Sequence, residues 1–249
     1  MTFRDHFSDA SRAYATFRPS YPAELIRWLA SLTPSTRRAW DCATGNGQAA
    51  ILLAEHFADV IATDASEAQI AAATPHARVR YAVATERESG LEASSMDLVT
   101  VAQALHWFDI PAFFREADRV LVPRGILAIW SYGKPSLESS ANRVLHWMHD
   151  ERIGPFWPSE RMNVESGYRT VALPYPEIPA APRTLAVNMT RDALVGYVGT
   201  WSAVRQARLK EGTDPVPEFV AALAEVWPDE REARTVSWPL TVRVGRRPG

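Results

Sequence analysis

Two strands joined by a glycine loop constrain this chain more than any other feature: Ala39-Trp-Asp-Cys-Ala-Thr-Gly-Asn-Gly-Gln48, followed by Val60-Ile-Ala-Thr-Asp64-Ala-Ser66. The order reads as strand, loop, helix, strand and acidic terminus, the opening of a parallel α/β unit. Gly45 and Gly47 let the backbone turn sharply and approach a ligand closely. A carboxylate at Asp64 can accept hydrogen bonds from both hydroxyls of a ribose. The unit reads as a nucleoside-cofactor site.

Which nucleoside it takes is less direct. Gly45-Asn-Gly47-Gln-Ala-Ala50 satisfies the G-x-G-x-x-G/A pattern of dinucleotide sites, with Asp64 near the expected spacing, so a nicotinamide-dependent oxidoreductase is one reading. Asp41, at the carboxyl end of the first strand, points elsewhere, because nicotinamide loops seldom carry an acid there. The run Trp-Asp-Cys-Ala-Thr-Gly-Asn-Gly resembles the first motif of class I methyltransferases that use S-adenosylmethionine, with Ala43 where that family usually has its first glycine. Met96-Asp-Leu-Val-Thr-Val-Ala-Gln-Ala-Leu-His-Trp-Phe-Asp109 resembles the family's fourth-strand motif, and Val120-Leu-Val-Pro-Arg-Gly-Ile-Leu-Ala-Ile-Trp130 its turn into strand five. Tyr14-Ala-Thr-Phe-Arg-Pro-Ser-Tyr-Pro22, His106-Trp-Phe and Thr200-Trp-Ser-Ala203 are similar to segments of a narrower group, the small-molecule enzymes like trans-aconitate methyltransferase.

The resemblance implies a set of site residues. Asp41, Ala43, Thr44, Gly45 and Gly47 pass beneath the methionine portion of the cofactor; Asp41 either binds its amino group through water or pins the loop. Asp64 holds the ribose, with Ala65 and Ser66 beside the adenine, and a helix cap is the plainer role for Asp64. Thr85 and Glu86 follow strand three where the family contacts adenine, although Ala84 replaces the usual aspartate. Gln103 and Ala104 end strand four at the methionine end. His106, beside the transferred methyl, reads as a general base or as an orienting residue, and Trp107 as a pocket wall. Tyr14, Arg18 and Tyr21 form a lid in which Arg18 pairs a carboxylate or is simply a surface arginine. Trp201 lines the acceptor pocket or belongs to the core.

Periodicity supplies the elements. Leu25, Leu29 and Leu32 share one face of a helix opened by Tyr21-Pro22 and ended by Pro34. Ile51, Leu52 and Phe57 mark a second helix, and Ser66-Glu-Ala-Gln69 a capping box for a third. Val79–Val83, Leu98–Ala102 and Ile126–Tyr132 are apolar runs suited to parallel strands covered on both faces. A helix beginning at Pro111 after an Asp109 cap buries Phe113, Phe114, Ala117 and Val120. Strand and helix alternate, so right-handed crossovers predict an α/β, Rossmann-like, doubly wound sheet. Beyond Gly133 come a helix near 142–150, a proline-rich stretch and a helix from Thr190 presenting Leu194, Tyr197, Val198 and Trp201. Val236, Trp238, Leu240, Val242 and Val244 alternate as a last strand. The resemblance makes that strand antiparallel and interior in a mostly parallel seven-stranded sheet. Pro239 lacks a donor, so pairing is expected only after it.

These readings divide one methyltransferase domain, 1–249, into a lid and helix (1–35), a cofactor-binding core (36–133), a helical substrate-side insertion (134–234) and a terminal strand and tail (235–249). Aromatics with prolines around Phe156-Trp-Pro158, Leu173-Pro-Tyr-Pro176 and Ser237-Trp-Pro239 suggest a rigid binding cap.

Composition narrows the function. Lys+Arg 27 against Asp+Glu 29, with net charge -2 and no basic run, disfavours a nucleic-acid partner. The single cysteine, Cys42, excludes an intrachain disulfide and reads as a buried structural thiol. No apolar stretch of membrane-spanning length and no leader-like segment is present, so a soluble, cytoplasmic protein is expected, as monomer or homodimer. His146 and His149 lie three apart beside Asp150 and Glu151; a solvated helix face is expected there, and no metal. The expected activity is S-adenosylmethionine-dependent methyl transfer to a small molecule, at oxygen of a carboxylate or hydroxyl. The competing readings are the oxidoreductase and a cofactor-binding protein without transfer activity.

Overall fold

A computed structural model describes residues 19–138 and 140–249. In chain order the first part runs α1 (Ala23–Leu32), β1 (Arg38–Cys42), α2 (Gln48–Leu53), β2 (Asp59–Asp64), α3 (Glu67–Ala71), β3 (Val79–Val83), β4 (Met96–Ala102), α4 (Ile110–Val120) and β5 (Leu121–Tyr132). The second part runs β6 (Ser136–Leu137), α5 (Ala141–His146), α6 (Arg161–Glu165), β7 (Glu177–Ile178), β8 (Arg183–Met189), α7 (Arg191–Gly199), α8 (Ser202–Glu211), α9 (Val216–Val226) and β9 (Arg234–Arg246).

The main sheet has the order β3-β2-β1-β4-β5-β9-β6, with β7 and β8 also paired to β9. β1 to β5 are mutually parallel, and β9 runs antiparallel to β5. Successive side chains of a strand point to opposite faces, so each central strand feeds two cores. Ile126, Ala128 and Trp130 pack on one face with Leu25 and Leu29 of α1, while Leu127 and Ile129 pack on the other with Phe113 and Ala117 of α4. Burial on both faces accounts for apolar runs without alternation in β4 and β5.

Local chemistry sets the ends of these elements. The Asp109 carboxylate accepts the Ala112 amide (3.2 Å) at the start of α4, and Ser66 Oγ accepts the Gln69 amide (3.3 Å) at the start of α3. Phe57 is buried but lies beyond the end of α2, which stops at Leu53. Buried Asp97 accepts the Arg37 and Arg38 amides (3.0 Å each) and the Ser35 hydroxyl (2.8 Å), anchoring the entry to β1 against β4.

Pairing of the terminal strand begins before Pro239, contrary to the expectation from its missing donor. Residues 234–240 pair with β8 on one side, and 240–246 pair with β5 on the other. The Pro239 carbonyl accepts the Gly133 amide (2.9 Å). Donor and acceptor of one residue face the same neighbour in an antiparallel ladder, so the absent N–H faces Gly133, just past the end of β5, and the ladder to β8 loses no bond.

Candidate functional site

The carboxyl ends of β1, β2, β3 and β4 converge, and the loops leaving them carry the proposed cofactor residues. Asp41 is the penultimate residue of β1 and is 1% exposed. Its Oδ2 accepts the Thr44 hydroxyl (2.6 Å) and its Oδ1 the Thr100 hydroxyl (2.7 Å). Burial pushes the Asp41 carboxyl up to about 6, against the pull of those two hydroxyls and with a further push from the Asp64 charge.

The loop that follows holds three residues in the left-handed region: Ala43 (φ 55), Gly45 (φ 57) and Gly47 (φ 91). A Cβ on Gly47 would sit 2.2 Å from the Tyr81 hydroxyl oxygen, whereas Gly45 meets nothing nearer than Gln69 Oε1 at 3.8 Å. Ala43 takes the left-handed conformation with its methyl group in place. The loop is tied to β2 by Thr44 N–H to Thr63 O (2.9 Å) and by Gly45 N–H to Asp64 Oδ2 (2.9 Å). Asp64 Oδ1 accepts the Ser66 amide (2.9 Å). The helix cap is therefore Ser66, and Asp64 faces the glycine loop as an acceptor. Ala65 is half-buried beside it.

Farther along the sheet, Thr85 is exposed, and Glu86 pairs with Arg87 (3.0 Å) while accepting the Asp109 amide (3.4 Å). Gln103 (φ 57) joins β4 to β5: its Nε2 donates to Tyr132 O (3.3 Å) and its Oε1 accepts Tyr132 N–H (3.2 Å). Ala104 is buried next to it.

A turn at Leu105–Trp107 then presents His106 and Trp107. The His106 ring lies 4.6 Å from Trp107, and its Nδ1 is 2.9 Å from the Tyr168 hydroxyl. Burial, with the Arg161 charge adding to it, pushes the imidazole down to about 3, so it is neutral near pH 7. Gln103, His106, Tyr132, Trp157, Arg161, Tyr197, Trp201 and Ser202 line a cavity of about 50 Å³ between the strand ends and the segments beyond β5.

Trp201 belongs to both the core and this cavity. It is 3% exposed, with Tyr197 edge-on at 5.5 Å, and still contributes to the lining. Tyr21 is buried edge-on against Trp130 at 5.4 Å. Tyr14 and Arg18 lie outside the described residues. Tyr168 and Arg161 belong to no motif and were not singled out in the sequence. Their nearest signal is the proline-and-tryptophan run at 156–158, whose Trp157 does line the cavity.

The solvated face expected at His146 and His149 is not found. Residues Trp147–Arg152 extend α5 as a π turn, and His149 is 3% exposed, on the face of buried Ala141 and Leu145. His149 Nδ1 pairs with Asp150 (2.7 Å) and Nε2 lies 3.2 Å from Arg161 Nη2. Cys42 is buried and its thiol is pushed up by that burial, as befits an inert structural residue. Among the described residues, no group of three or more His, Cys, Asp or Glu side chains could hold a metal ion, and no helix is long and apolar enough to cross a membrane.

Comparison with known proteins agrees with this geometry. Residues 40–129, from β1 through most of β5, match the family model described as a methyltransferase domain. A Dictyostelium discoideum protein named as a methyltransferase is 34% identical over 230 residues, 90% of this chain and 87% of that protein. A structure from Anaeromyxobacter dehalogenans, described as a type II methyltransferase, superposes with a TM-score of 0.87 at 41% identity, covering 94% of this chain and all of the other. A Haemonchus contortus phosphoethanolamine N-methyltransferase, solved with S-adenosylhomocysteine, shares the fold at a TM-score of 0.51 and 18% identity, covering 100% of this chain and 61% of its own. With a Rossmann-like sheet, an acid-flanked glycine loop and a relative matching nearly its whole length, this chain belongs to the methyltransferase family and uses S-adenosylmethionine, not a nicotinamide, as its cofactor.

Proposed function

We propose that the protein transfers a methyl group to an oxygen of a small acceptor, a carboxylate before a hydroxyl, held in the cavity between Gln103, His106 and Trp201. The observation that carries this reading is the neutral His106 at the cavity wall. A group pushed down to about 3 is a weak base near neutral pH, so it cannot efficiently take a proton from a hydroxyl. A carboxylate is already ionised and needs no base. His106 then orients the acceptor, with its ring set by Tyr168 and Trp107.

The residues present suit the cofactor. The Asp64 carboxylate ends β2 and is held beside the glycine loop by the Gly45 and Ser66 amides, and an acceptor-only group in that place suits a ribose diol. Gly45 would meet nothing within 3.4 Å even with a Cβ, so its backbone can lie close to a ligand. Asp41 can reach an amino group through water while holding Thr44 and Thr100. Ala43, Thr44 and Gly47 shape the floor, Ala65, Ser66, Thr85 and Glu86 the adenine side, and Gln103 and Ala104 the methionine end. When bound, S-adenosylmethionine supplies an electrophilic sulfonium methyl whose transfer leaves a neutral thioether. The chain's own task is positioning, and proximity with orientation can supply ~7–11 kcal/mol of barrier lowering. In this reading residues 1–249 act as one domain: 36–133 hold the cofactor, 134–234 build the acceptor side, and Tyr14 and Arg18 lie in the lid segment.

The test is a transfer assay with methyl-labelled S-adenosylmethionine against panels of small carboxylic acids, alcohols and amines. Label should enter base-labile esters. Label found only in amines, or in alcohols with a rate that rises with an imidazole titration near pH 6.5, would overturn the carboxylate reading. S-Adenosylhomocysteine binding without transfer to any class would favour a cofactor-binding protein.

A further inference from the structure

The cavity contains a cation that the cofactor site does not use. Among the described residues lining it, Arg161 is the one with a formal charge. Its guanidinium stacks on Trp157, 3.8 Å from the ring centre, and its Nη2 is 3.2 Å from His149 Nε2. Its Nε lies 3.4 Å from Glu165 Oε1, one turn further along α6, where the carboxylate is half exposed. The Arg161 side chain itself is 21% exposed.

Arg161 also stands where two spaces meet. Together with Trp157 it lines both the inner cavity beside His106 and an open groove of about 370 Å³ bounded by His149, Pro158, Met162 and Glu165. The imidazoles to either side, His106 and His149, are held neutral by burial and by the Arg161 charge itself. Flanked by imidazoles held neutral, with its carboxylate partner Glu165 on the groove side, the guanidinium is the charged feature of the inner cavity wall. Stacking on the indole fixes the guanidinium plane before any ligand arrives. A pre-set planar fork is suited to the two oxygens of an oxyanion.

We propose that Arg161 is the specificity-determining residue of the acceptor pocket, binding an oxyanion (a carboxylate or a phosphate monoester) on an acceptor whose apolar body lies against Trp157, Tyr197 and Trp201. This rests on the proposed small-molecule transfer reaction and adds the group by which the acceptor is selected. Trp157 and His149 act as positioning residues for the guanidinium.

The experiment uses full-length protein saturated with S-adenosylhomocysteine and follows tryptophan fluorescence during titration with benzoate, benzamide and phenyl phosphate. Benzamide preserves the shape of benzoate without its charge. The expected result is saturable quenching by benzoate or phenyl phosphate, at least about tenfold tighter than by benzamide, the scale of one charge-assisted hydrogen bond. The tighter of the two anions identifies the oxyanion. Arg161→Gln should abolish the acid-over-amide preference while leaving S-adenosylhomocysteine affinity within about twofold, and Arg161→Lys should restore part of it. Because arginine stays charged, benzoate affinity should be flat from pH 6 to pH 9; a rise confined to acidic pH would transfer the role to a histidine and overturn the assignment. Equal affinity for acid and amide, no affinity for either anion, or an unaltered preference in Arg161→Gln also overturns it. If Arg161→Gln no longer binds S-adenosylhomocysteine, the wild-type ratio of benzoate to benzamide decides alone. Binding of benzoate without methyl transfer to any acid would remove the proposed reaction and leave the anion site standing.

Discussion

The Tyr168 hydroxyl lies 2.9 Å from Nδ1 of His106, and the Tyr168 ring is buried while His106 is half-buried, so each sets the position of the other beside the acceptor cavity. The pair joins the end of β4 to the segment after α6, which brings the cofactor half of the chain into register with the acceptor half. Replacing Tyr168 by Phe should lower the single-turnover rate of methyl transfer while leaving S-adenosylhomocysteine affinity nearly unchanged. It should also destabilise the fold by about 1 kcal/mol, since a half-buried imidazole nitrogen loses its partner. Urea denaturation and rapid quench measure the two effects separately.

His106 should contribute no ionisation to the pH–rate profile between pH 5 and pH 9, because burial has moved it to about 3. The expected kcat/KM profile has no limb near 6.5 assignable to it. A limb in that region that disappears in His106→Gln would show that the imidazole works as a base.

Asp41 should make the cofactor-free protein less stable as pH rises from about 4 to about 6. Its carboxyl keeps a proton up to about 6 when folded, against 3.8 for the ordinary group, so the native state binds more protons in that window. Stability from this source is complete below the ordinary value and lost as pH climbs through the raised one. The shift corresponds to about 3 kcal/mol. Asp41→Asn should remove the slope, giving an apo protein at least as stable as wild type at pH 8, while weakening S-adenosylhomocysteine. Thermal melts across pH 4–8 with and without that ligand would test both, and an unchanged slope in the variant would exclude Asp41 as its source.

Gly47→Ala should cost about 1–3 kcal/mol, combining a side chain at φ 91 with displacement of the Tyr81 ring from its hydrogen bond to Thr74 O. Tyr81→Ser should recover part of the loss by removing the clash, but not the backbone strain. Full recovery in the double variant would mean that the conformation at residue 47 carries no cost.

Asp64→Ala should weaken S-adenosylhomocysteine by more than about 1 kcal/mol, the scale for losing a charged hydrogen bond. Part of that loss comes from the loop, since the Gly45 and Ser66 amides lose their shared acceptor. Asp64→Asn, which keeps one acceptor oxygen, should fall between wild type and alanine. Calorimetry showing unchanged affinity in a folded Asp64→Ala protein would remove the ribose assignment.

Much of the fold was legible because short-range rules decide it. Apolar runs at 98–102 and 126–132 meant strands covered on both faces, Asp109 and Ser66 marked helix starts by their capping chemistry, and the glycine loop announced its own left-handed turns. Ala43 shows where such rules stop: its departure from glycine was visible in sequence, but only the structure shows that alanine keeps the left-handed backbone there. Pro239 was misread for a similar reason, since whether a missing donor matters depends on which neighbour that edge faces, and β5 ends beside it.

The sequence by itself determined the parallel α/β architecture, the order of its strands' motifs and the acids that flank the glycine loop, because each depends on residues close together along the chain. The acceptor side was decided only by tertiary structure. His106 met Tyr168 at a separation of 62 positions, and Arg161 reached the cavity on a five-residue helix. His149 turned inward against Trp157 and Trp201, which come from later segments. Such contacts carry no periodicity, and burial, which sets the charge of His106, Asp41 and His149, arises only once distant segments have packed together.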